Sequence, residues 1–297
     1  MIVAPIGYLL RMFLSNTVSV AEVGIFYSVL GLMGLIATYN DLGLTEAMQY
    51  FIPKFRIKNE KAKVRLVIIA SFLMQMMTGV LIFCLLYFGA EWLSIYHFHD
   101  PIAKQILQIL AFYFFGVNVV TLCSTMFVSF QDTFSQGLVQ SIQQIVNLVF
   151  TVIFWATASL TIVSYAWVRI IGTLTAILVG VGIVIGKYRY VFIRDINEPP
   201  LSLASNLGRT ALQKERLKTL KQHFKYALWV FFVANVATLL GSVDQQVVVN
   251  VLGSESAGLF SNFQALIFVF TTVVTPLLGL LFPITTELIT KKDTRKF

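Results

Sequence analysis

The chain has 297 residues, of which 57% are hydrophobic and only 12% are charged, and its net charge is +8. Its mean hydropathy is +0.80. A soluble domain usually has about 25% charged residues, and here long apolar stretches recur along the whole chain. This excludes both a soluble globular protein and a soluble body with a single membrane anchor.

Eight apolar stretches are candidates for membrane spans, since a spanning helix needs about 20 mostly apolar residues. In chain order they cover residues 1–14, 23–52, 64–88, 102–128, 138–158, 160–185, 226–252 and 259–288. The first stretch is shorter than a full span. The sequence therefore predicts an all-α fold, a polytopic bundle of transmembrane helices.

The basic residues indicate how these spans are oriented. Of the 22 Lys and Arg residues, 19 follow even-numbered spans, in residues 54–65, 187–225 and 291–296. Because cytoplasmic loops carry an excess of Lys and Arg, we expect a multi-pass protein of the cytoplasmic (inner) membrane with both ends in the cytoplasm. Anionic lipids are sufficient partners for the basic loops, so the positive charge predicts no nucleic-acid partner.

An internal repeat relates two of the predicted spans. The segment from Ala21 to Ser28 opens span two, and the segment from Glu255 to Asn262 opens span eight with a similar pattern. The glycines Gly24 and Gly258 are in register, 234 residues apart. Both segments run in the same direction, which is typical of transporters with two like-oriented halves. Since the first half has six spans and the second only two, we expect a chain truncated mainly at its C-terminus.

The repeat divides the chain into three parts. Residues 1–186 form a predicted six-helix lobe, and residues 226–297 form the first two helices of a second lobe. Between them, residues 187–225 form a basic cytoplasmic linker that contains the pair Pro199-Pro200. The linker pattern after this pair favours an amphipathic helix at the membrane interface or, as an alternative, a solvated connector.

Several segments resemble a known family. They are Gly24-Ile25-Phe26-Tyr27, Asp41-Leu42-Gly43-Leu44 with Glu46 and Ala47, the stretch from Asp244 to Phe260, and Pro283 with Glu287. The chain resembles polysaccharide-biosynthesis flippases, the Wzx-type O-antigen or repeat-unit translocases of the MOP superfamily. MATE exporters and lipid II flippases belong to the same superfamily.

The resemblance implies a MOP-type transporter with two six-helix lobes around a central cavity, the first lobe complete and the second partial. It implies translocation of a polyprenyl-pyrophosphate-linked oligosaccharide by alternating access. Its substrate is then a lipid-linked oligosaccharide, and other polysaccharide assembly proteins are expected partners. A lipid II flippase remains an alternative that handles the same carrier.

Three charged residues stand out inside predicted spans, where charges are expensive and usually functional. Arg11, Arg169 and Asp244 are placed at a similar depth in the outward half, and the repeat puts Arg11 opposite Gln245. The arginines suit a pyrophosphate. Alternatively, an arginine pairs with Asp244 as an outer gate. A static ion pair or snorkelling to the headgroups would give the same pattern.

Uncharged polar residues recur at helical spacing on several spans. The cavity candidates among them are Asn118, Gln143, Asn147 and Gln245. Interhelical hydrogen bonds are the competing explanation for each residue. The aromatic residues Trp92, Tyr96, Trp155, Tyr165 and Trp167 are predicted to form an outer belt.

Two other functions remain open. A MATE-type drug or cation exporter has the same fold, but two buried arginines favour an anionic head group. A membrane-embedded glycan polymerase or acyltransferase is the enzymatic alternative, but we find no nucleophile–base set or zinc signature. We therefore expect a transporter and not an enzyme, with no catalytic residue, metal or cofactor.

Overall fold

The computed structural model describes the backbone of residues 3–193 and 206–290, and the side chains there except at 3–5, 8, 38, 206–212, 233–242 and 268–290. Within these residues the secondary structure is helical, without strands. The helices are α1 (Val3–Thr17), α2 (Val20–Asp41), α3 (Leu44–Ile57), α4 (Lys61–Leu93), α5 (Ile102–Ser129), α6 (Thr133–Ala156), α7 (Ile162–Phe192) and α8 (Asn206–Thr290). A π-helical turn, Ser94–Phe98, extends α4.

The all-α, multi-pass prediction is confirmed. Five segments are long and apolar enough to cross a membrane: Val20–Asp41, Lys61–Phe98, Ile102–Ser129, Thr133–Ala156 and Ile162–Phe192. They correspond to predicted spans two to six. Helix α1 has only 15 residues, as expected for the short first span. Predicted spans seven and eight both lie in α8, which is kinked where Gly253 leaves the helical conformation.

The prediction of one continuous helix over 23–52 is wrong. Leu42 and Gly43 have positive φ angles of 49° and 72°, and they separate α2 from α3. The Asp41 carboxylate accepts hydrogen bonds from the Thr45 backbone N–H and hydroxyl, which caps the start of α3. A Cβ at position 43 would clash with the Ala227 carbonyl oxygen, so only glycine fits this break. Apolar residues continue through the break, and hydropathy alone does not reveal it.

The predicted linker is partly helical. Helix α7 continues to Phe192 and α8 starts at Asn206, whereas the pair Pro199-Pro200 lies outside the described residues. Around His223, α8 packs on α3 and α4. His223 hydrogen-bonds the Ser71 hydroxyl at 2.9 Å, in a buried contact. Its position at the membrane interface and the three-part division of the chain stay predictions.

Asp132, the N-cap residue of α6, connects the start of α6 to the end of α7. This carboxylate accepts hydrogen bonds from Lys187 Nζ and the Tyr188 hydroxyl, both at 2.7 Å, and from the Ser135 backbone N–H. Burial opposes the negative charge, but the hydrogen bonds from Lys187, Ser135 and Tyr188 outweigh it, so the pKa of Asp132 lies well below its usual value. The charged form of Asp132 therefore stabilises the fold.

We expect Asp132→Asn to lower the free energy of unfolding by about 1.5 kcal/mol near neutral pH, as for a lost hydrogen bond to a charged group. Because the pKa of Asp132 is lowered by folding, its contribution is complete above about pH 4 and is lost as the pH falls further. Thermal unfolding in detergent at several pH values measures both effects. A gap between wild type and variant that widens in acid would contradict this assignment.

Candidate functional site

A central cavity of about 520 Å³ lies between α2, α5, α7 and α8. Its volume is within the range of about 300–1,000 Å³ typical of small-molecule sites. The second half of α2, the start of α3, and parts of α4, α5, α7 and α8 line it: Leu30, Met33, Gly34, Ala37, Asn40, Asp41, Gly43, Thr45, Glu46, Gln75, Tyr113, Phe114, Val117, Asn118, Thr121, Arg169 and Phe231. We call this space the central cavity.

Arg169 lies on α7 and lines the central cavity, as its sequence position predicted. Its Nη2 donates a hydrogen bond to the Tyr113 hydroxyl at 3.1 Å, and its guanidinium lies 5.3 Å from the centre of that ring. Its Nε is buried without a hydrogen-bond partner. Among the described residues no carboxylate forms an ion pair with Arg169. A cation that faces a cavity with an unused donor is suited to an anionic ligand.

Arg11 lies on α1 and does not line the central cavity. Its guanidinium stacks on the Tyr27 ring at 3.8 Å from the ring centre, and its Nε donates to Asn262 Oδ1 at 3.4 Å. Tyr27 also interacts with Tyr165, and both tyrosines interact electrostatically with the guanidinium groups of Arg11 and Arg169. Within the described residues Arg11 has no acidic partner either.

We call Arg11, Tyr27, Tyr165, Arg169 and Tyr113 the arginine–tyrosine cluster. Tyr165 is buried, with 2% of its surface exposed, so its assignment to the outer aromatic belt is wrong. Tyrosine faces attract cations, and a tyrosine hydroxyl can accept a hydrogen bond from a guanidinium. The cluster keeps two positive charges together without neutralising them. Sequence analysis found the arginines but missed the tyrosines, because aromatic residues are common throughout membrane helices.

Helices α2 and α8 cross in direct backbone contact at the start of α2. A Cβ at Gly24 would clash with the Ser254 carbonyl oxygen, and a Cβ at Gly258 would clash with the Val20 carbonyl oxygen. The repeat offset of 234 residues makes Ser254 the equivalent of Val20 and Gly258 the equivalent of Gly24. Each glycine therefore contacts the carbonyl group that is equivalent to the one contacted by the other glycine. Contacts that are exchanged in this way show that the two repeated segments are related by a local two-fold axis.

Two side-chain hydrogen bonds beside the crossing are also equivalent to each other at the offset of 234 residues. Gln245 Nε2 donates to the Ser28 hydroxyl at 2.8 Å, whereas Arg11 Nε donates to Asn262 Oδ1. The offset relates Arg11 to Gln245 and Ser28 to Asn262. These contacts confirm the predicted repeat in this region. The crossing lies at the start of α2, beyond the part of α2 that lines the central cavity.

Asp244 is not part of this arrangement. It is exposed, and the described structure contains no ion pair between Asp244 and Arg11. Consecutive residues on a helix point about 100° apart, so the buried position of Gln245 turns Asp244 away from the crossing. The Arg11–Asp244 gate is therefore not formed here. The π-helical turn adds a further contact to α8, since His97 hydrogen-bonds Gln246 at 3.0 Å.

The remaining polar candidates have different positions. Asn118 lines the central cavity and accepts a hydrogen bond from Asn40 Nδ2 at 2.8 Å. Gln143 lines a second pocket and donates to the Thr173 hydroxyl at 3.0 Å. Asn147 is buried against Gly172, and its amide atoms have no partner. The structure brings Arg169 and Asn118 to the same cavity, while Asn147 and Gln245 lie between helices.

Comparison with known proteins gives one family. A family model described as polysaccharide biosynthesis protein matches residues 1–289. Over 137 residues the chain is 25% identical to an uncharacterized membrane protein of Methanocaldococcus jannaschii. This match covers 43% of the chain and 27% of the relative, so the matched region spans about a quarter of that protein's length.

Two solved structures share the fold. The inward-facing conformation of a multidrug resistance MATE family transporter of the MOP superfamily matches with a TM-score of 0.65 and 15% identity, over 93% of this chain and 60% of that one. The outward-facing conformation of a multidrug resistance MATE family transporter of the same superfamily matches with a TM-score of 0.55 and 17% identity, over 99% of this chain and 74% of that one. The chain therefore shares its fold with these two transporters.

Proposed function

Because the chain belongs to the polysaccharide biosynthesis protein family, we propose that it takes part in moving a saccharide linked to a polyprenyl diphosphate across the cytoplasmic membrane. The central cavity is the proposed binding site, and its opposite ends open in turn. Arg169 is the residue that we expect to contact the diphosphate. Arg11 adds a second positive charge to the arginine–tyrosine cluster.

One observation carries this proposal: the arginine–tyrosine cluster holds two guanidinium groups with unused N–H donors and no acidic partner among the described residues. Leaving a buried charge unpaired costs several kcal/mol, so an anionic ligand would complete the site. A guanidinium donates two parallel hydrogen bonds, which suits the oxygens of a diphosphate.

Two carboxyl groups also line the central cavity, which keeps a cationic substrate as the competing hypothesis. Tyr27 and Asp41 are about 21 Å apart along α2, so Asp41 lies far from Tyr27 and from the Arg11 guanidinium that stacks on it, although Asp41 and Arg169 line the same cavity. Asp41 already accepts hydrogen bonds from Thr45 and from Gln75 Nε2 at 2.9 Å. Glu46 is exposed at the same end. Both acids lie at the break between α2 and α3, and among the described residues neither forms an ion pair with Arg169, which leaves this guanidinium available to an anion.

The proposal is tested by binding of soluble analogues to the full chain in lipid nanodiscs. We expect farnesyl diphosphate to bind saturably and at least about tenfold more tightly than farnesyl monophosphate, because the second phosphate adds charge-assisted hydrogen bonds. Farnesol tests for binding through the apolar chain alone, and tetraphenylphosphonium tests a cation site. Equal affinity for farnesol, or tighter binding of tetraphenylphosphonium, would refute the proposal.

A further inference from the structure

A second pocket of about 350 Å³ opens beside the central cavity, between α3, α5 and α6. We call it the lateral pocket. It is lined by Thr45, Gln49, Tyr113, Val117, Val120, Thr121, Ser124, Thr125, Val128, Gln136, Gln140 and Gln143. Thr45, Tyr113, Val117 and Thr121 line both spaces. The two pockets are therefore adjacent parts of one space.

The lining of the lateral pocket is polar but uncharged. Amides and hydroxyls dominate it, and none of the described residues that line it is acidic, basic or a histidine. An amide side chain offers two donors and an acceptor with two lone pairs, and a hydroxyl both donates and accepts. Such groups match the alternating donors and acceptors of sugar hydroxyls. They give no counter-charge to an acidic or basic ligand.

Much of this hydrogen-bonding capacity is unused. Ser124 is 9% exposed, and its hydroxyl is buried without a partner. Gln136 and Gln140 are half-buried, and their amides make no hydrogen bond within the described part of the chain. Buried polar groups in folded proteins are nearly always hydrogen-bonded, so the buried Ser124 hydroxyl points to a polar ligand, and the two half-buried amides are available to the same ligand.

Tyr113 connects this pocket to the arginine–tyrosine cluster. Its hydroxyl accepts the hydrogen bond from Arg169, and its side chain lines both the central cavity and the lateral pocket. A diphosphate bound at Arg169 would therefore have its attached sugar beside Tyr113, at the opening of the lateral pocket. Thr121 lies at the same junction and adds a hydroxyl.

We propose that the lateral pocket binds the first sugar of the lipid-linked saccharide and selects for an uncharged one. This inference rests on the proposed function, because it places the diphosphate at Arg169. Selection follows from the neutral lining: a uronic acid would bury a carboxylate without a cation partner, whereas a neutral sugar replaces water with amides and hydroxyls. Gln136 and Gln140 are the specificity-determining residues.

The test compares three ligands for the full chain in nanodiscs. They are farnesyl diphosphate, farnesyl diphosphate carrying N-acetylglucosamine, and farnesyl diphosphate carrying glucuronic acid. We expect N-acetylglucosamine to strengthen binding at least about tenfold over the bare diphosphate, as a few well-placed hydrogen bonds would. We expect glucuronic acid to give no such gain.

The variant Gln136→Ala with Gln140→Ala is expected to lose most of the gain from N-acetylglucosamine and to keep the affinity for bare farnesyl diphosphate. Gln222→Ala removes an exposed amide on α8, outside both pockets, and is the matched control. An equal gain in the double variant, or a larger gain with glucuronic acid, overturns the inference. Absence of binding by the bare diphosphate instead overturns the proposed function and, with it, this extension.

Discussion

Replacing Arg169 by glutamine is expected to weaken binding of farnesyl diphosphate by about 30- to 1,000-fold. The change removes a buried, charge-assisted contact, for which losses of about 2–4 kcal/mol are typical. Arg169→Lys keeps the charge but loses the planar pair of donors, so we expect an intermediate loss of about tenfold. Isothermal titration calorimetry in nanodiscs measures the affinities.

Stability separates a binding role for Arg169 from a structural one. Because Arg169 has no acidic partner in the described structure, Arg169→Gln removes an uncompensated charge and should leave the unfolding temperature equal or higher. Arg189→Gln is the matched control, since Arg189 is exposed on the same helix. If Arg189→Gln weakens binding as much, or if Arg169→Gln binds as wild type, Arg169 does not contact the diphosphate.

The arginine–tyrosine cluster illustrates which parts of a membrane site a single sequence reveals. Charges inside apolar segments are rare, so Arg11 and Arg169 are conspicuous. Tyr113, Tyr27 and Tyr165 are not, because aromatic residues occur both in cores and at membrane interfaces. Only the rotation and packing of α1, α2, α5 and α7 bring the five side chains together. The hydropathy of a segment does not determine how its helix is rotated about its own axis.

The repeat supplied more of the three-dimensional arrangement than hydropathy did. A match between Gly24 and Gly258 predicted equivalent positions, and the structure places these two glycines against each other. The same offset related Arg11 to Gln245, which is buried, and not to Asp244, which is exposed. A shift of one residue on a helix changes the face by about 100°, so the exact offset gives the buried Gln245 as the equivalent of Arg11, whereas the neighbouring Asp244 faces away from the crossing.

The break between α2 and α3 shows the opposite limit. The stretch over 23–52 is apolar and contains no proline, so its composition favours one long helix. The decisive features are local: Asp41 caps Thr45, and Gly43 adopts a positive φ where α8 approaches. Glycine is common in continuous membrane helices, so Gly43 alone does not predict a break. Tertiary contact with Ala227 therefore decides the break.

The α2–α8 crossing predicts the largest conformational effect. The second half of α2 lines the central cavity, and the crossing with α8 lies at the start of α2. We therefore expect that closing the cavity at this end requires Gly24 and Gly258 to have no side chains. A Cβ at Gly24 would lie 2.6 Å from the Gly258 backbone nitrogen, which the helices can relieve only by moving apart. Gly24→Val and Gly258→Val should each open this end of the central cavity.

Reactivity of a cysteine at position 28 measures this opening. Ser28 is fully buried beside Gln245, so Ser28→Cys, with Cys84 and Cys123 replaced by alanine, should react slowly with a membrane-impermeant maleimide. We expect Gly24→Val or Gly258→Val to raise the labelling rate at least about tenfold, which corresponds to a shift of about 1.4 kcal/mol between closed and open states. Gly89→Val is the matched control, since a Cβ there meets open space. If labelling at position 28 stays slow in both variants while their fold is intact, closure at this end depends on contacts other than the paired glycines.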